Sequence, residues 1–432
     1  MTGNDRAVVV TGIGMVTPMG IGRTAFWEGV LEARSTARRV SWLEEAGIPA
    51  PIGCPVEDGW ADPGDYARER KSVKLMSRAA QHAVIASTLA VRDAALRLED
   101  IEPERRAVVL GTGGVGLHDA DFLDMLLAGF SEKAATGGAT SFYERARRHI
   151  HPLVPLRLLP NIATAHVAIT HELRGESVTV CTACTSGTQA LGEALRMLRD
   201  DRADVVLAGG TDAMINPVGV IGFDLLGVLS RRGDDPAHAC RPFDKRRDGF
   251  VMGEGSAIFV LESLSRARAR GAPILAELSG YGVCSDGYRV TDEREDGTGP
   301  LEAMRRAIAD AGIEPADIQY VNAHGTGTVM NDRTEVKALQ ALFGSQLPEV
   351  PVSSTKSQIG HLLAAAGAVE AAACVFALRD QVLPPTINHE TPDFDIDVVP
   401  NAPRAAPMQD VISNSFGFGG QNACLAIRRV ES

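Results

Sequence analysis

Short apolar runs alternate with helix-period segments from one end of this chain to the other. That alternation restricts it to an α/β architecture, in which strands and amphipathic helices bury one another's apolar faces. The strand-like runs are "AVVVTGIG", "RAVVLGTGG", "SVTVCTA", "ADVVLAGG", "SAIFVLE", "AELSGYGV", "YVNAHGTG", "VPVSS", "VISNSFG" and "CLAIRRV". Helical spacing marks residues 76–97, 185–200, 299–313 and 361–380, with Leu191, Leu195 and Leu198 sharing one face of the second. The stretches "MSRAAQHAVIASTLAVRDAAL…RRAVVLGTGG" and "GPLEAMRRAIADAGI…IQYVNAHGTG" follow one plan: helix, charged linker, apolar strand, Gly-Thr-Gly. Two related halves would account for 432 residues. The basic helical run and Gly-Ala-Pro punctuation of "ESLSRARARGAP" (262–273) set the boundary near residue 268, giving units 1–268 and 269–432.

Hydrophobic residues make up 45% of the chain and charged residues 23%, a balance that excludes disordered and fibrous classes. The opening "MTGNDRAVVVTGIG" lacks a charged segment followed by an apolar one. No stretch nears the roughly 18 uninterrupted apolar residues of a membrane span, so a cytoplasmic protein without a membrane partner is expected. Seven scattered cysteines, an odd number, argue for free thiols over a disulfide framework. A net charge of -12 argues against nucleic acid as a partner, since phosphate affinity comes from clustered Lys and Arg. One basic cluster stands out, "RERKSVKLMSR", with Arg68, Arg70, Lys71, Lys74 and Arg78. It is either a solvated charged face or a patch for an acidic partner.

Gly111, Gly113 and Gly116 in "VVLGTGGVG" have the spacing of a dinucleotide-binding turn. That reading needs an acidic residue closing a second strand about 20 residues on, where the chain has "GFSEKAATGGATS", a poor strand. Glycines serving a tight turn at a strand end are the simpler account.

Cys181 and Cys184, in "SVTVCTACTSGTQALGEALRML", admit three readings. Zinc needs more ligands, and the chain has neither a second C-x-x-C nor an H-x-x-H. A thioredoxin-like redox pair would open a helix in this way. So would a nucleophile: strand, tight turn and a helix opening near residue 185 set Cys184 where unpaired N–H groups and the helix dipole favour a thiolate and lower its pKa. Thr185, Ser186 and Gly187 are small enough to admit an acyl group, and Cys181, on the strand side, then reads as a buried small hydrophobe. His324 ends the apolar run of "YVNAHGTGT"; His361, just after Lys356, opens the Ala-rich helix of "VSSTKSQIGHLLAAAGAVEAAACVFAL". One histidine at a strand end is commonly a structural hydrogen-bonding group. Two in glycine-flanked turns, beside a candidate nucleophile, are the donors that carbonyl chemistry needs.

Taken together, "TACTSG", "RPFDKRRDGFVMGEG", "VNAHGTGT", "SSTKSQIGHLLAAAGAVE" and "SNSFGFGGQN" resemble, in order and across nearly the whole chain, the motifs of β-ketoacyl-acyl-carrier-protein synthases of the elongating Cys-His-His kind. The resemblance implies a thiolase fold, two similar α-β-α-β-α halves stacked in five layers, and a tight dimer. It implies that Cys184 accepts the acyl chain, that His324 and His361 promote decarboxylation of the malonyl extender, and that Lys356 and Glu335 orient His361. Thr326 and Thr328 would contact the phosphopantetheine arm. Phe418 would gate the site and join its N–H to that of Cys184 as an oxyanion hole, with Phe223 as a second gate and Phe416 at the substrate site. Arg68, Lys71 and Lys74 are the implied carrier-docking residues. The implied activity is decarboxylative Claisen condensation in type II fatty acid or polyketide elongation. No cofactor or metal is expected, because phosphopantetheine arrives on the acyl carrier protein. That carrier is the expected partner, together with a second copy of the chain or a chain-length factor.

Two features depart from the fatty-acid pattern. The stretch 118–160 is longer than fatty-acid synthases of this kind carry and resembles type II polyketide ketosynthases, although "SFGFGGQNA" is closer to the fatty-acid type. Gly227 stands where the family often has a carrier-contacting arginine. Three rival readings remain. A thiolase would carry a second cysteine in a Cys-x-Gly-Gly-Gly turn, whereas Cys424 lies in "NACLAI"; a non-catalytic chain-length factor would lack Cys184; a redox protein would depend on Cys181.

Overall fold

The computed structural model describes residues 7–113, 120–130, 142–150 and 152–430. The apolar runs form β1 (Val8–Thr17), β2 (Arg106–Thr112), β3 (Ser177–Val180), β4 (Val205–Asp212), β5 (Gly255–Ser263), β6 (Ala276–Ser285), β7 (Ile318–Asn322), β8 (Val352–Ser353), β9 (Asp410–Gly417) and β10 (Gln421–Arg428). Their main helices are α1 (Arg78–Asp93), α2 (Asn161–His171), α3 (Ser186–Arg199), α4 (Thr298–Asp310), α5 (Val329–Phe343) and α6 (Ala366–Asp380).

Along the sheet the strands run β8-β7-β9-β10-β6-β1-β5-β4-β2-β3, with the short Gly20–Ile21 paired off β1. This order is one five-stranded plan used twice. From the seam outward, β1-β5-β4 are antiparallel and β4-β2-β3 parallel; β6-β10-β9 and β9-β7-β8 repeat the pattern. The halves join where β1 meets β6, Val8 opposite Leu278 and Val10 opposite Ala276.

Period-two alternation sends each strand's side chains to two different cores. On β2, Val108 and Leu110 pack outward against Ala83, Val84 and Ile85 of α1. On the same strand Ala107 and Val109 turn inward. The second half does likewise: Cys424 and Ala426 of β10 pack outward against α4, while Ala423 and Leu425 face in. Between the inner faces run α3 and α6, with Leu191, Leu195, Val369 and Phe376 in a core shared by both sheets. Helix, sheet, helix, sheet, helix: the five-layered thiolase arrangement is present. Strands covered on both faces need no polar alternation, which is why they read as continuous apolar runs.

The central layer is tight. Every residue of α6 from Ala366 to Leu378 is buried, and a Cβ at Gly187 of α3 would lie 2.9 Å from Ala368 N and 3.0 Å from Ala364 O. Small residues let the two helices approach. This helix starts at Ala366, later than its spacing predicts, so His361 lies outside it, between a short helix Lys356–Ile359 and a turn Leu363–Ala365. Leu363 adopts a left-handed φ of 50°, which interrupts the helical path. The segment "ESLSRARARGAP" folds as a helix Leu264–Ala269, capped by Ser263 Oγ, that leads from the first half's last strand to the second half's first. Of the 118–160 stretch, helices Ala120–Gly129, Phe142–Ala146 and Val154–Arg157 are described; Gly116 and residues 118–119, 131–141 and 151 lie outside the described residues. No described helix is long and apolar enough to cross a membrane.

Candidate active site

Cys184 sits on an elbow. After β3 the chain reverses at Ala183, whose φ is 52°, and a 3-10 turn Ala183–Thr185 leads into α3. The Thr182 N–H donates to Ser186 Oγ at 2.9 Å and Thr185 Oγ1 donates to Thr182 O at 2.7 Å, locking the bend. Gly111 on β2 gives the helix start room to pack, since a Cβ there would stand 2.4 Å from the Ser186 carbonyl carbon. That is the role of this glycine, in place of the dinucleotide turn weighed above. Cys184 is 8% exposed. Burial pushes its thiol up to about 12, with Lys356 pulling it down and Asp212 and Glu370 adding to the rise. The expected lowered thiol is therefore corrected in direction: burial raises it.

Two imidazoles from the other half line the same cavity as this sulfur. His361 Nε2 lies 3.1 Å from Cys184 Sγ, and the His324 and His361 rings stand edge to face with centroids 5.3 Å apart. Burial, reinforced by Lys356, holds both histidines well below their ordinary pKa, so both are neutral. Their tautomers follow from their partners. Nδ1 of His361 faces the Leu363 N–H at 3.2 Å, and Nδ1 of His324 faces Lys356 Nζ at 3.3 Å. Each partner can only donate, so each ring carries its proton on Nε2. The site thus presents two neutral Nε2–H donors beside one thiol.

The resemblance assigned Lys356 and Glu335 to the orientation of His361, and the structure corrects both. Lys356 is fully buried, paired with Glu370, and its other contact is His324. Glu335 accepts the backbone N–H groups of His324 at 2.9 Å and Gly325 at 2.8 Å, and Asn414 Nδ2 at 3.2 Å. Burial pushes its carboxyl up to about 7, against the pull of those bonds. Both residues serve His324. The ring of His361 is held by Leu363 and by Phe250, edge-on at 5.1 Å.

A cavity of about 500 Å³ opens onto Cys184, His324 and His361, with Phe223, Phe416 and Phe418 in its wall. Phe418 stacks on Phe223 at 6.4 Å, and Phe416 packs edge-on to His324 at 5.5 Å. Thr326 and Thr328 line the same cavity, their hydroxyls 3.0 Å apart, and Thr328 Oγ1 caps α5 by accepting from the Asn331 N–H. Gly227 lies in the wall with open space where a side chain would start. Glu293 lines it too, its carboxyl pushed up to about 8 by burial and by Glu335, Asp286 and Asp332.

Sequence reasoning missed Glu370, Phe250 and Glu293. Glu370 left a signal, one acid inside the Ala-rich "AAAGAVEAAACV", where a lone charge demands a buried counter-ion. Phe250 left only its place in "RPFDKRRDGFVMGEG" and Glu293 left none, because only the packing brings them to the site.

Arg68, Lys71 and Lys74 lie outside the cavity wall. Arg68 is paired with Glu172 at 2.6 Å, Arg70 with Asp62 and Asp65, and Arg78 with Glu254 and Asp58. The exposed basic charge of that cluster is thereby reduced chiefly to Lys71 and Lys74. Cys181 is exposed, correcting its reading as a buried hydrophobe, because it follows the edge strand β3, which has no further strand beside it among the described residues. Cys424 is buried in β10, away from the cavity wall.

Two like halves in five layers, with a buried thiol on a helix-opening elbow and two imidazoles delivered from the opposite half, define a thiolase-fold protein with a Cys-His-His site. Its sequence matches the family models "Beta-ketoacyl synthase, N-terminal domain" over residues 5–267 and "Beta-ketoacyl synthase, C-terminal domain" over 275–390. The chain belongs to the β-ketoacyl synthase family. It is 40% identical to a protein of Rhizobium meliloti named 3-oxoacyl-[acyl-carrier-protein] synthase 2, over 98% of this chain and 99% of that one. Among solved structures it is similar to the ishigamide ketosynthase/chain length factor, with 34% identity, TM-score 0.87, and coverage of 99% of this chain and 100% of that one. A type II polyketide ketosynthase, solved in complex with its acyl-carrier protein and bound to a hexaketide, is 32% identical with TM-score 0.86 over 99% of this chain and 100% of that one.

Proposed function

We propose that this chain is a β-ketoacyl-acyl-carrier-protein synthase that catalyses decarboxylative Claisen condensation in type II fatty acid or polyketide elongation. The observation that carries the reading is the approach of His361 Nε2 to within 3.1 Å of Cys184 Sγ, with His324 beside it. In the first half-reaction the Cys184 sulfur attacks an acyl thioester. The new S–C bond replaces the carrier's, and the thiol proton leaves with the carrier's phosphopantetheine sulfur. In the second, malonyl-carrier loses carbon dioxide, and the electron pair of the broken C–C bond becomes an enolate. The Nε2–H groups of His324 and His361 donate to its oxygen. The enolate carbon attacks the acyl carbonyl, the acyl S–C bond breaks, and Cys184 leaves as a thiolate that takes up a proton from solvent water. Neutral imidazoles suit this step, since each must donate without first losing a proton.

Lys356, Glu370 and Glu335 hold His324; Thr326 and Thr328 contact the phosphopantetheine arm, and Phe418 with Phe223 gates the cavity. The acyl carrier protein is the partner, supported by the carrier-bound polyketide relative, and Lys71 and Lys74 are the basic groups left to meet it. A second subunit, this chain or a chain-length factor, fits the open edge of β3. The reaction belongs in the cytoplasm and needs no resident cofactor.

The test is mass spectrometry of the protein with acyl- and malonyl-carrier. Wild type should gain the acyl mass and release carbon dioxide; Cys184→Ala should lose acylation, and His361→Ala should lose about 10²-fold or more in decarboxylation. Condensation by the Cys184→Ala variant would overturn the reading.

A further inference from the structure

We propose that Asp212 is a positioning residue which, from the opposite half of the molecule, fixes the ring of His361 for decarboxylation. The proposal rests on the ketosynthase reading and adds a member to its site. Asp212 closes β4 and is 4% exposed. Each of its oxygens accepts one backbone N–H: Oδ1 that of Ala213 at 2.9 Å, Oδ2 that of Ala364 at 3.0 Å. A carboxylate withdrawn from water is costly unless such donors compensate it. Burial accordingly pushes its pKa up to about 6 while the two N–H groups pull it down.

Ala364 belongs to the turn Leu363–Ala365, and the neighbouring N–H of Leu363 is the donor to His361 Nδ1. This turn is strained, with Leu363 left-handed at φ 50°. It is also wedged against the nucleophile's half, since a Cβ at Gly210 would stand 2.7 Å from Ala364 O and one at Gly187 3.0 Å from it. Asp212 therefore ties a strained turn of the second half to a strand end of the first. With the turn held, the Leu363 N–H stays aimed at Nδ1 and the ring proton stays on Nε2, facing Cys184 and the substrate oxygen. If the turn relaxes, the other tautomer becomes accessible and its Nε2 can no longer donate. Asp212 touches neither sulfur nor substrate in this scheme.

The experiment combines ¹⁵N NMR of histidine-labelled protein with separate assays of acylation and malonyl decarboxylation. In wild type, His361 should be the Nε2–H tautomer; finding Nδ1–H would overturn the proposal. Asp212→Asn should still acylate Cys184, lose 10- to 100-fold in decarboxylation kcat with KM little changed, and show His361 in mixed tautomers. Asp212→Glu should recover part of the rate, because it restores an acceptor for both N–H groups. A folded Asp212→Asn protein with wild-type kcat and an unmixed tautomer would overturn the proposal. If Asp212→Asn does not fold, Gly113→Ala is read in the same two ways, since its Cβ would come within 2.5 Å of Asp212 Oδ2 and displace the carboxylate without altering its charge. A wild type that neither acylates nor decarboxylates sinks the ketosynthase reading. The His361 tautomer, compared between wild type and Asp212→Asn, still decides the role of Asp212.

Discussion

Lys356 and Glu370 are each almost wholly removed from water, so removing one leaves the other a buried charge without its counter-ion. Glu370→Ala is expected to destabilise the protein by about 3–5 kcal/mol, the scale for stranding one member of a buried pair. The double variant Lys356→Met with Glu370→Leu should recover most of that in denaturant titration while remaining impaired in decarboxylation. Glu293 gives the opposite kind of prediction. Its carboxyl is raised to about 8, so the folded protein keeps this proton where the unfolded chain, near 4.5, has lost it. Its contribution is intact in acid and is lost as pH rises toward 8. Glu293→Gln should therefore raise the thermal midpoint at pH 8 by a few degrees and leave it near the wild-type value at pH 4.5. At this scale the sequence shows which side chains carry chemistry, but not whom they touch: Lys356 was legible as a site residue, yet its partner is His324 rather than His361.

Among the elements, glycine positions separate close packing from mere permissiveness. Gly187 lies where α3 meets the turn before α6, with atoms already within 3.0 Å of a would-be Cβ. Gly187→Ala should cost about 1–3 kcal/mol by overpacking, measured by urea unfolding, and should slow condensation by displacing the Leu363–Ala365 turn. Gly222, in the helix Pro217–Leu225, has nothing within 4 Å of its Cβ position. Gly222→Ala should stabilise by about 0.5–1 kcal/mol. The strands were legible as elements because each is a dense apolar run. The start of α6 was not: nothing in "IGHLLAAAG" announces the left-handed Leu363 that leaves His361 outside the helix.

For the molecule as a whole, the central layer makes the halves interdependent. Helices α3 and α6 share one core with the inner faces of both sheets, and β1 pairs with β6 across the seam. A fragment of residues 1–268 should not fold cooperatively alone, because the inner face of its sheet and α3 would be left exposed. Circular dichroism and dye binding on the separate fragment should show a loosely packed state, and co-expression with 269–432 should restore the native transition. By itself the sequence determined the α/β class, the repeated plan and the family, and it singled out Cys184, His324 and His361, which the fold brings to one cavity, since these depend on local periodicity and on side-chain type within short motifs. Only the tertiary structure decided the ionisation of Cys184, the tautomers of the two histidines and the partners of Lys356, Glu335 and Asp212. Each of those depends on how much water is excluded and which donor arrives from a distant part of the chain, and neither quantity is written in local spacing.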